Sequence, residues 1–415
     1  MSGVVIIGAG QAGLQLATSL RELGYAGRVR MIGDEPHAPY QRPPLSKAYL
    51  AGKVPEASLY MQEPDYFAKH AIEFLPGETA TAVNRELRQV DLQRGDFLEY
   101  EHLVFATGAR NRQLPCVEGT MSGIVSLRTL ADAQRLSAAL AVARKVVVVG
   151  AGFLGLEAAT IACAAGCAVR VIEAGDRVLG RVVSPPVSAV VRRCHEEAGV
   201  RFDFAASVVA LHGEGGAVRS VELHGGERVA ADLVLVSIGI VPNTELAAAA
   251  GLTVHNGIVV NRRMSTEDTA ISAIGDCAAF PYAADAGRMV RLESVQNAVD
   301  QARCVAERII GRPADYDQVP LFWSDQAGLR LQMAGLAQGG ETTVVRGDPA
   351  GRAFSVFCYR DDRLVAVESV SRLPDHMQAR KLLRAGVSPS AGQAADMSFD
   401  LKTLLPVPAS AGPVR

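Results

Sequence analysis

The chain has 415 residues, 49% of them apolar and 21% charged, and a net charge of −2. That length supports about two or three domains with sizeable cores, and the charge balance argues against a protein-wide footprint for nucleic acid. No apolar run reaches the roughly 18 residues needed to cross a bilayer. A strand that starts almost at Met1 leaves no room for a signal peptide, so a cytoplasmic protein without a membrane partner is expected.

The first element is a β-branched strand, Val4-Val5-Ile6-Ile7, breaking into Gly8-Ala9-Gly10-Gln11-Ala12-Gly13 and a helix over 11–23. Strand 29–32 follows, with acids at Asp34 and Glu35. The same pattern recurs: Val146–Val149, then Gly150-Ala151-Gly152-Phe153-Leu154-Gly155, a helix near 153–165, and strand 168–172 ending in Glu173. In each copy the first glycine allows a tight turn and the second lets the backbone approach a pyrophosphate. The third lets helix and strand pack, so that phosphates meet free N–H groups at the helix start. One chain binding two dinucleotides is most simply a flavoprotein fed by a nicotinamide. Aligning the copies sets Glu173 opposite Gly33. The first copy's ribose acceptor is therefore Asp34 or Glu35, with Asp34 preferred.

Later strands end in small-residue turns at Ala106-Thr107-Gly108, at Ile238-Gly239 and at Ile274-Gly275-Asp276, the last before a long helix from Val295 to Ile310. The chain thus leaves its first domain near 113 and returns near 242. The expected organisation is a discontinuous first dinucleotide domain (1–112 and 242–318), an inserted second one (113–241), and an α+β domain with an antiparallel sheet (319–386). The Ser/Ala/Pro-rich remainder, 387–415, reads as a largely flexible tail, with 399–405 a candidate exception.

Further segments carry a resemblance. Pro39-Tyr40-Gln41-Arg42-Pro43-Pro44-Leu45-Ser46-Lys47-Ala48-Tyr49-Leu50, Ala106-Thr107-Gly108, Ile274-Gly275-Asp276-Cys277, Leu292–Ala298 and Phe322-Trp323-Ser324-Asp325-Gln326 stand in order with the two glycine motifs. In these the chain resembles the FAD-dependent NADH:ferredoxin reductases of the putidaredoxin reductase and dioxygenase-reductase type. The resemblance implies two Rossmann-like domains in a glutathione-reductase-like arrangement. It implies that Gly8, Gly10, Ala12 and Gly13 cradle the FAD pyrophosphate, with Asp34 near the ribose, Arg42 and Lys47 beside the flavin, and Ala80 against the adenine. Thr107, Arg128, Asp276 and the N–H of Val295 complete the implied FAD contacts. Asp276 on its own also reads as a turn residue. The second copy, with Gly150, Gly152, Phe153, Leu154, Gly155, Glu173 and Gly239, is expected to take NADH.

Three residues are candidates for the chemistry. Lys47 follows Pro43-Pro44 and Ser46, which read as a helix start, where a cation opposes the helix dipole. Glu157 stands among apolar neighbours where the first copy has Gln15, and a buried acid needs a partner; the resemblance supplies Lys47. Trp323, the only tryptophan, reads either as a core or interface aromatic or, through the resemblance, as a residue beside the flavin. Glu173 should favour NADH over NADPH, although Arg177 and Arg181 lie nearby in sequence.

Seven cysteines occur, none in a CxxC, and the first is Cys116. The redox thiols of related disulfide reductases are missing, so electrons must leave the flavin directly. No histidine spacing suggests a metal. The expected function is transfer of a hydride from NADH to FAD and release of single electrons, and the resemblance implies that the acceptor is a two-iron ferredoxin serving a haem monooxygenase or a ring-hydroxylating dioxygenase. Arg380, Lys381, Arg384, Arg308 and Arg312 are candidates for a transient electrostatic dock on a monomer or weak homodimer. A rubredoxin or small-organic-radical reductase, and a flavin-binding interaction protein of the apoptosis-inducing-factor type, remain open.

Overall fold

The computed structural model describes residues 3–116, 121–337 and 341–406. The first β-branched run forms strand Gly3–Ile7, buried throughout, and breaks at Gly8 into helix Gln11–Glu22. This strand is the centre of a parallel sheet. On one side lie Val29–Gly33 and Ile72–Pro76; on the other lie Phe97–Phe105 and, beyond it, Ile271–Ala273. That last strand closes the sheet from a segment more than 160 residues further on, because Leu103–Phe105 pairs in register with Ile271–Ala273. Two strands, Ala80–Asn84 and Gln89–Leu92, extend the long Phe97–Phe105 strand antiparallel.

A second parallel sheet repeats the plan in the order Arg201–Asp203, Ala168–Ile172, Lys145–Val149, Leu233–Val236 and Ile124–Val125. Its second glycine motif opens helix Phe153–Ala164. Near-continuous Val/Ile/Leu runs are what strands covered by helices on both faces require. The two passages of chain between the sheets pair with each other, Ala109–Asn111 running antiparallel to Ile240–Pro242.

The C-terminal part is a five-stranded antiparallel sheet, Leu321–Gln326, Leu329–Gly335, Arg363–Val370, Phe354–Arg360 and Thr342–Gly347, backed by helix Leu373–Ala385. The expectation of a largely flexible tail is corrected for 390–398, and the excepted stretch 399–405 is folded with it. Ser390 and Gln393 form a capping box on helix Ala391–Ala395, and a 3-10 turn follows at Leu401–Leu404. Ala394 and Leu401 are buried against the sheet. The buried Arg346 guanidinium donates to the carbonyls of Ala394, Asp396 and Phe399, so backbone oxygens that a mobile tail would leave to water are held. Residues 407–415 lie outside the described residues.

No described helix is long and apolar enough to cross a membrane.

Candidate active site

Both glycine motifs are built to the same rule. A Cβ at Gly8 would lie 2.1 Å from the Ala106 carbonyl oxygen, and one at Gly150 would lie 2.4 Å from that of Ser237. Both glycines also have positive φ, +113° and +101°. The third glycines, Gly13 and Gly155, press on the carbonyls of Gly8 and Gly150. The middle glycines differ: around Gly10 and Gly152 a Cβ would meet nothing within 4 Å. Each is also the N-cap of its helix with no side-chain cap. Protein packing thus demands the outer two glycines in each copy, while the middle one faces open space before unsatisfied helix N–H groups. That is the shape and the donor set a pyrophosphate needs.

In front of the first motif opens a cavity of about 560 Å³. Gly8, Gly10, Ala12, Asp34, Glu35, Arg42, Lys47, Thr107, Arg128, Phe153, Leu154, Glu157, Asp276, Val295 and Trp323 line it. Gly13 serves the helix–strand contact behind it. Ala80, at the start of its strand, is not on this wall, nor are Gly150, Gly152, Gly155 and Glu173. Gly239 lines a second, neighbouring cavity with Arg112, Arg181 and Arg291.

The cations in the cavity are paired. Arg42 binds Glu35 (2.6 Å) and the Arg128 carbonyl (2.7 Å); Arg128 binds Asp276 (2.8 Å). Glu35 also accepts from the Tyr40 hydroxyl, whereas Asp34 is exposed at the rim. An acid at the strand end itself is blocked in this copy, because a Cβ on Gly33 would lie 2.7 Å from the Ala9 Cβ. The Thr107 hydroxyl donates to the Asn243 carbonyl, and the Asn243 amide returns a hydrogen bond to Thr107. Val295 is the first residue of its helix, after the N-cap Ser294, and the helix start lines the cavity.

Lys47 and Glu157 meet: Nζ lies 2.7 Å from Oε2. The expected helix start beneath Lys47 is corrected. Pro43–Ser46 is a single 3-10 turn, and the Lys47 N–H closes it on the Pro44 carbonyl. Lys47 thus stands at the end of a turn, and no unfavourable helix dipole needs explaining. Glu157 is 6% exposed and accepts from two further donors, Ser46 Oγ and Ser324 Oγ, each at 2.5 Å. Trp323 is 38% exposed and on the cavity wall, so its reading as a core aromatic is set aside. Alternation along Leu321–Gln326 explains the split: Ser324 and Gln326 turn inward, Trp323 and Asp325 outward.

Ser46, Tyr40, Asn243, Ser324, Gln326 and His195 were not identified from sequence as site residues. Only the strand alternation around Trp323 could have pointed to two of them, Ser324 and Gln326. Glu173 accepts from the N–H groups of Ala151 and Gly175, each at 2.7 Å, which fixes its carboxylate beside the second motif. Arg177 donates to the carbonyls of Val183 and Gly180, while Arg181 faces the second cavity. Arg308, a docking candidate, is instead bound to Ser272 and the Thr269 carbonyl; Arg312, Arg380, Lys381 and Arg384 are exposed. All seven cysteines are free and none lines the large cavity. The Cys277 thiol is fully buried and donates to backbone carbonyls. Among the described residues no cluster could hold a metal.

Two phosphate cradles on two parallel sheets, one facing a cavity where a lysine pairs with a buried glutamate, define a two-dinucleotide oxidoreductase. The chain belongs to the pyridine nucleotide-disulphide oxidoreductase family, whose pattern matches residues 2–302, with a reductase C-terminal domain matching 321–405. It is 46% identical to rhodocoxin reductase of Rhodococcus erythropolis, over 96% of this chain and 93% of that one. It is 41% identical to putidaredoxin reductase of Pseudomonas putida, over 97% and 96%. A ferredoxin reductase of the CYP199A2 system from Rhodopseudomonas palustris superposes with a TM-score of 0.94 at 45% identity, covering 97% of this chain and 99% of that one. The reductase in a covalent putidaredoxin reductase–putidaredoxin complex does so with a TM-score of 0.94 at 41%, covering 97% and 98%. Proteins of this family hold FAD and use NAD(P)H.

Proposed function

We propose that this chain is an NADH-dependent reductase of a two-iron ferredoxin that feeds an oxygenase. The observation that carries the proposal is the cavity wall itself: a charged Lys47–Glu157 pair and an open Trp323 stand there, and no cysteine does. A disulfide reductase needs a thiol at that wall to take electrons from the flavin. The relatives' names point the same way, including a ferredoxin reductase component of an anthranilate dioxygenase system.

FAD would lie with its pyrophosphate on Gly8, Gly10 and Ala12 and with its ring toward Lys47 and Trp323. When bound, it accepts two electrons together and can give them up one at a time. Arg42 and Arg128 are held by their acids in fixed orientations along its length. The start of the Val295 helix offers positive dipole where the ring gains negative charge. NADH would enter over the second motif, its ribose hydroxyls donating to the fixed Glu173. Arg177 is already committed to two carbonyls, so a 2′-phosphate would meet a carboxylate with that cation turned away. Lys47 and Glu157 orient the nicotinamide side and hold balanced charge beside it. The exposed cations Arg312, Arg380, Lys381 and Arg384 offer docking charge to an acidic carrier.

Turnover with purified carriers tests the proposal. NADH-driven reduction of a two-iron ferredoxin should exceed that of a rubredoxin at equal concentration. Equal or faster reduction of rubredoxin, or none of either, overturns it.

A further inference from the structure

Behind Glu157 a line of buried polar groups continues away from the cavity, through three parts of the fold. Ser324 Oγ donates to Glu157 Oε1. Gln326 Nε2 lies 2.8 Å from Ser324 Oγ and 3.0 Å from the Phe153 carbonyl. Gln326 Oε1 lies 3.0 Å from His195 Nε2, and His195 Nδ1 lies 3.1 Å from Thr160 Oγ1. His195 and Gln326 are 0% exposed and Ser324 1%. Phe153, Glu157 and Thr160 fall at i, i+4 and i+7, one face of helix Phe153–Ala164, so the line leaves that helix and returns to it.

From Glu157 to Gln326 the direction of each hydrogen bond follows from chemistry. An ionised carboxylate only accepts, so Ser324 must give its single proton to Glu157. The oxygen of Ser324 must then accept from Gln326. The Phe153 carbonyl makes the same demand independently, because it too only accepts. Both place the Gln326 NH₂ toward the helix and its oxygen toward His195. His195 Nε2 therefore carries the proton toward Gln326, and Nδ1 is left to accept from Thr160, whose hydroxyl must then turn from the Leu156 carbonyl 3.2 Å away to the ring nitrogen at 3.1 Å. If the imidazole held its proton on Nδ1, two acceptors would face each other. Turning Gln326 over to relieve that would set its oxygen against the Phe153 carbonyl and draw the Ser324 proton away from Glu157.

We propose that His195, as its neutral Nε2–H tautomer, is a positioning residue for Glu157: it locks Gln326, and through it Ser324, so that Oε1 is held from behind while Oε2 receives Lys47. The inference rests on the hydride-transfer reading of Glu157, but the tautomer can be measured without it. The surroundings agree. The ring faces Thr160, Gln326 and the edge of Phe202, none of them charged, and burial pushes its pKa down to about 4.

The test is a long-range proton–nitrogen NMR spectrum of the FAD-loaded protein, with the His195 ring assigned by its loss in His195→Gln. A pyrrole-type Nε2 and pyridine-type Nδ1, unchanged from pH 6 to 8, are expected. The opposite tautomer, or titration within that range, overturns the proposal. A second arm compares His195→Leu with His195→Gln, whose amide can restore a donor near the Nε2 position. The leucine variant should slow flavin reduction by NADH about tenfold, as expected for losing one hydrogen bond that orients a charged group, and the glutamine variant should recover most of it. Equal rates in the two variants overturn the positioning role. Glu157→Gln reports separately on the reading beneath it: if that variant reduces flavin normally while the tautomer is as stated, the hydride-transfer role fails and the hydrogen-bond assignment stands.

Discussion

The Lys47–Glu157 pair makes the most demanding prediction. Glu157→Gln keeps the shape of the side chain but removes the charge that three donors converge on. Its amide must turn its own NH₂ toward Ser46 and Lys47 or toward Ser324, and every one of those groups is already donating. Breaking a fully buried pair costs about 3–5 kcal/mol. Here the Lys47 side chain is 24% exposed, so water takes up part of the loss, and about 2 kcal/mol is the expected coupling. That energy corresponds to a factor of about 30. The assay is a double-mutant cycle with Lys47→Met, read twice: by urea unfolding of the FAD-loaded protein and by anaerobic stopped-flow reduction of the flavin with NADH. Each single variant should lose about 2 kcal/mol of stability and reduce flavin about 30-fold more slowly, and the double variant should lose much less than the sum. Strictly additive effects would show that the two groups do not act as a pair. Unchanged reduction rates and NADH affinity in Glu157→Gln would refute the reasoning from burial to function.

Three other perturbations read different parts of the structure. Glu173→Ala removes the proposed acceptor for the NADH ribose and the charge that would face a 2′-phosphate, so the ratio of kcat/KM for NADH over NADPH should fall by about 10- to 100-fold. An unchanged ratio places discrimination elsewhere. His195 and His376 are both buried with pKa values pushed down to about 4, so the unfolded chain binds protons below pH 6.5 that the folded protein refuses. Stability therefore falls as pH drops from 6.5 toward 4, by about 2 kcal/mol per histidine between pH 7 and 5. Urea midpoints should show this and should flatten when either ring is replaced. Arg346→Met strips the carbonyls of Ala394, Asp396 and Phe399 of their donor and removes one cation from Asp375, which keeps Arg372 and Ser355. Losing the charge-assisted hydrogen bonds to those carbonyls should cost about 3 kcal/mol and expose the end of the chain to proteases; full protease resistance would mean that Leu401 and Ala394 alone hold the segment.

Much of this architecture was legible because its signals are local. Each strand–glycine–helix unit announces itself within about 30 residues, and Glu157 was conspicuous as an acid on an apolar helix. What stayed hidden is what depends on distant partners. Ser46, Ser324 and Gln326 are ordinary polar residues until three segments converge on one carboxylate. His195 sits on an amphipathic helix and carries no signal that a strand 131 residues away will meet its ring. Residues 390–398 were misread because composition speaks to average behaviour. A capping box written in Ser390 and Gln393, and a guanidinium contributed from Arg346, override it.

On the proposed reading, the two copies of the glycine motif would let one scaffold hold a resident group at one site and an exchanging one at the other. In the second copy the strand ends in Glu173, whose carboxylate takes the Ala151 N–H inside the phosphate loop. In the first, Gly33 fills that place, tight against Ala9, and the acid moves out to Asp34 and Glu35, where Arg42 and Tyr40 bind Glu35. The first loop is thus walled by a paired network that continues through Arg42, Arg128 and Asp276 along one deep cavity. The second loop relies on a short local clamp beside a separate opening. Contacts distributed along the whole length of a ligand slow its departure, and contacts gathered at one end let it exchange. The same fold therefore suits a group that stays through every turnover in its first copy and a substrate that must leave after each one in its second.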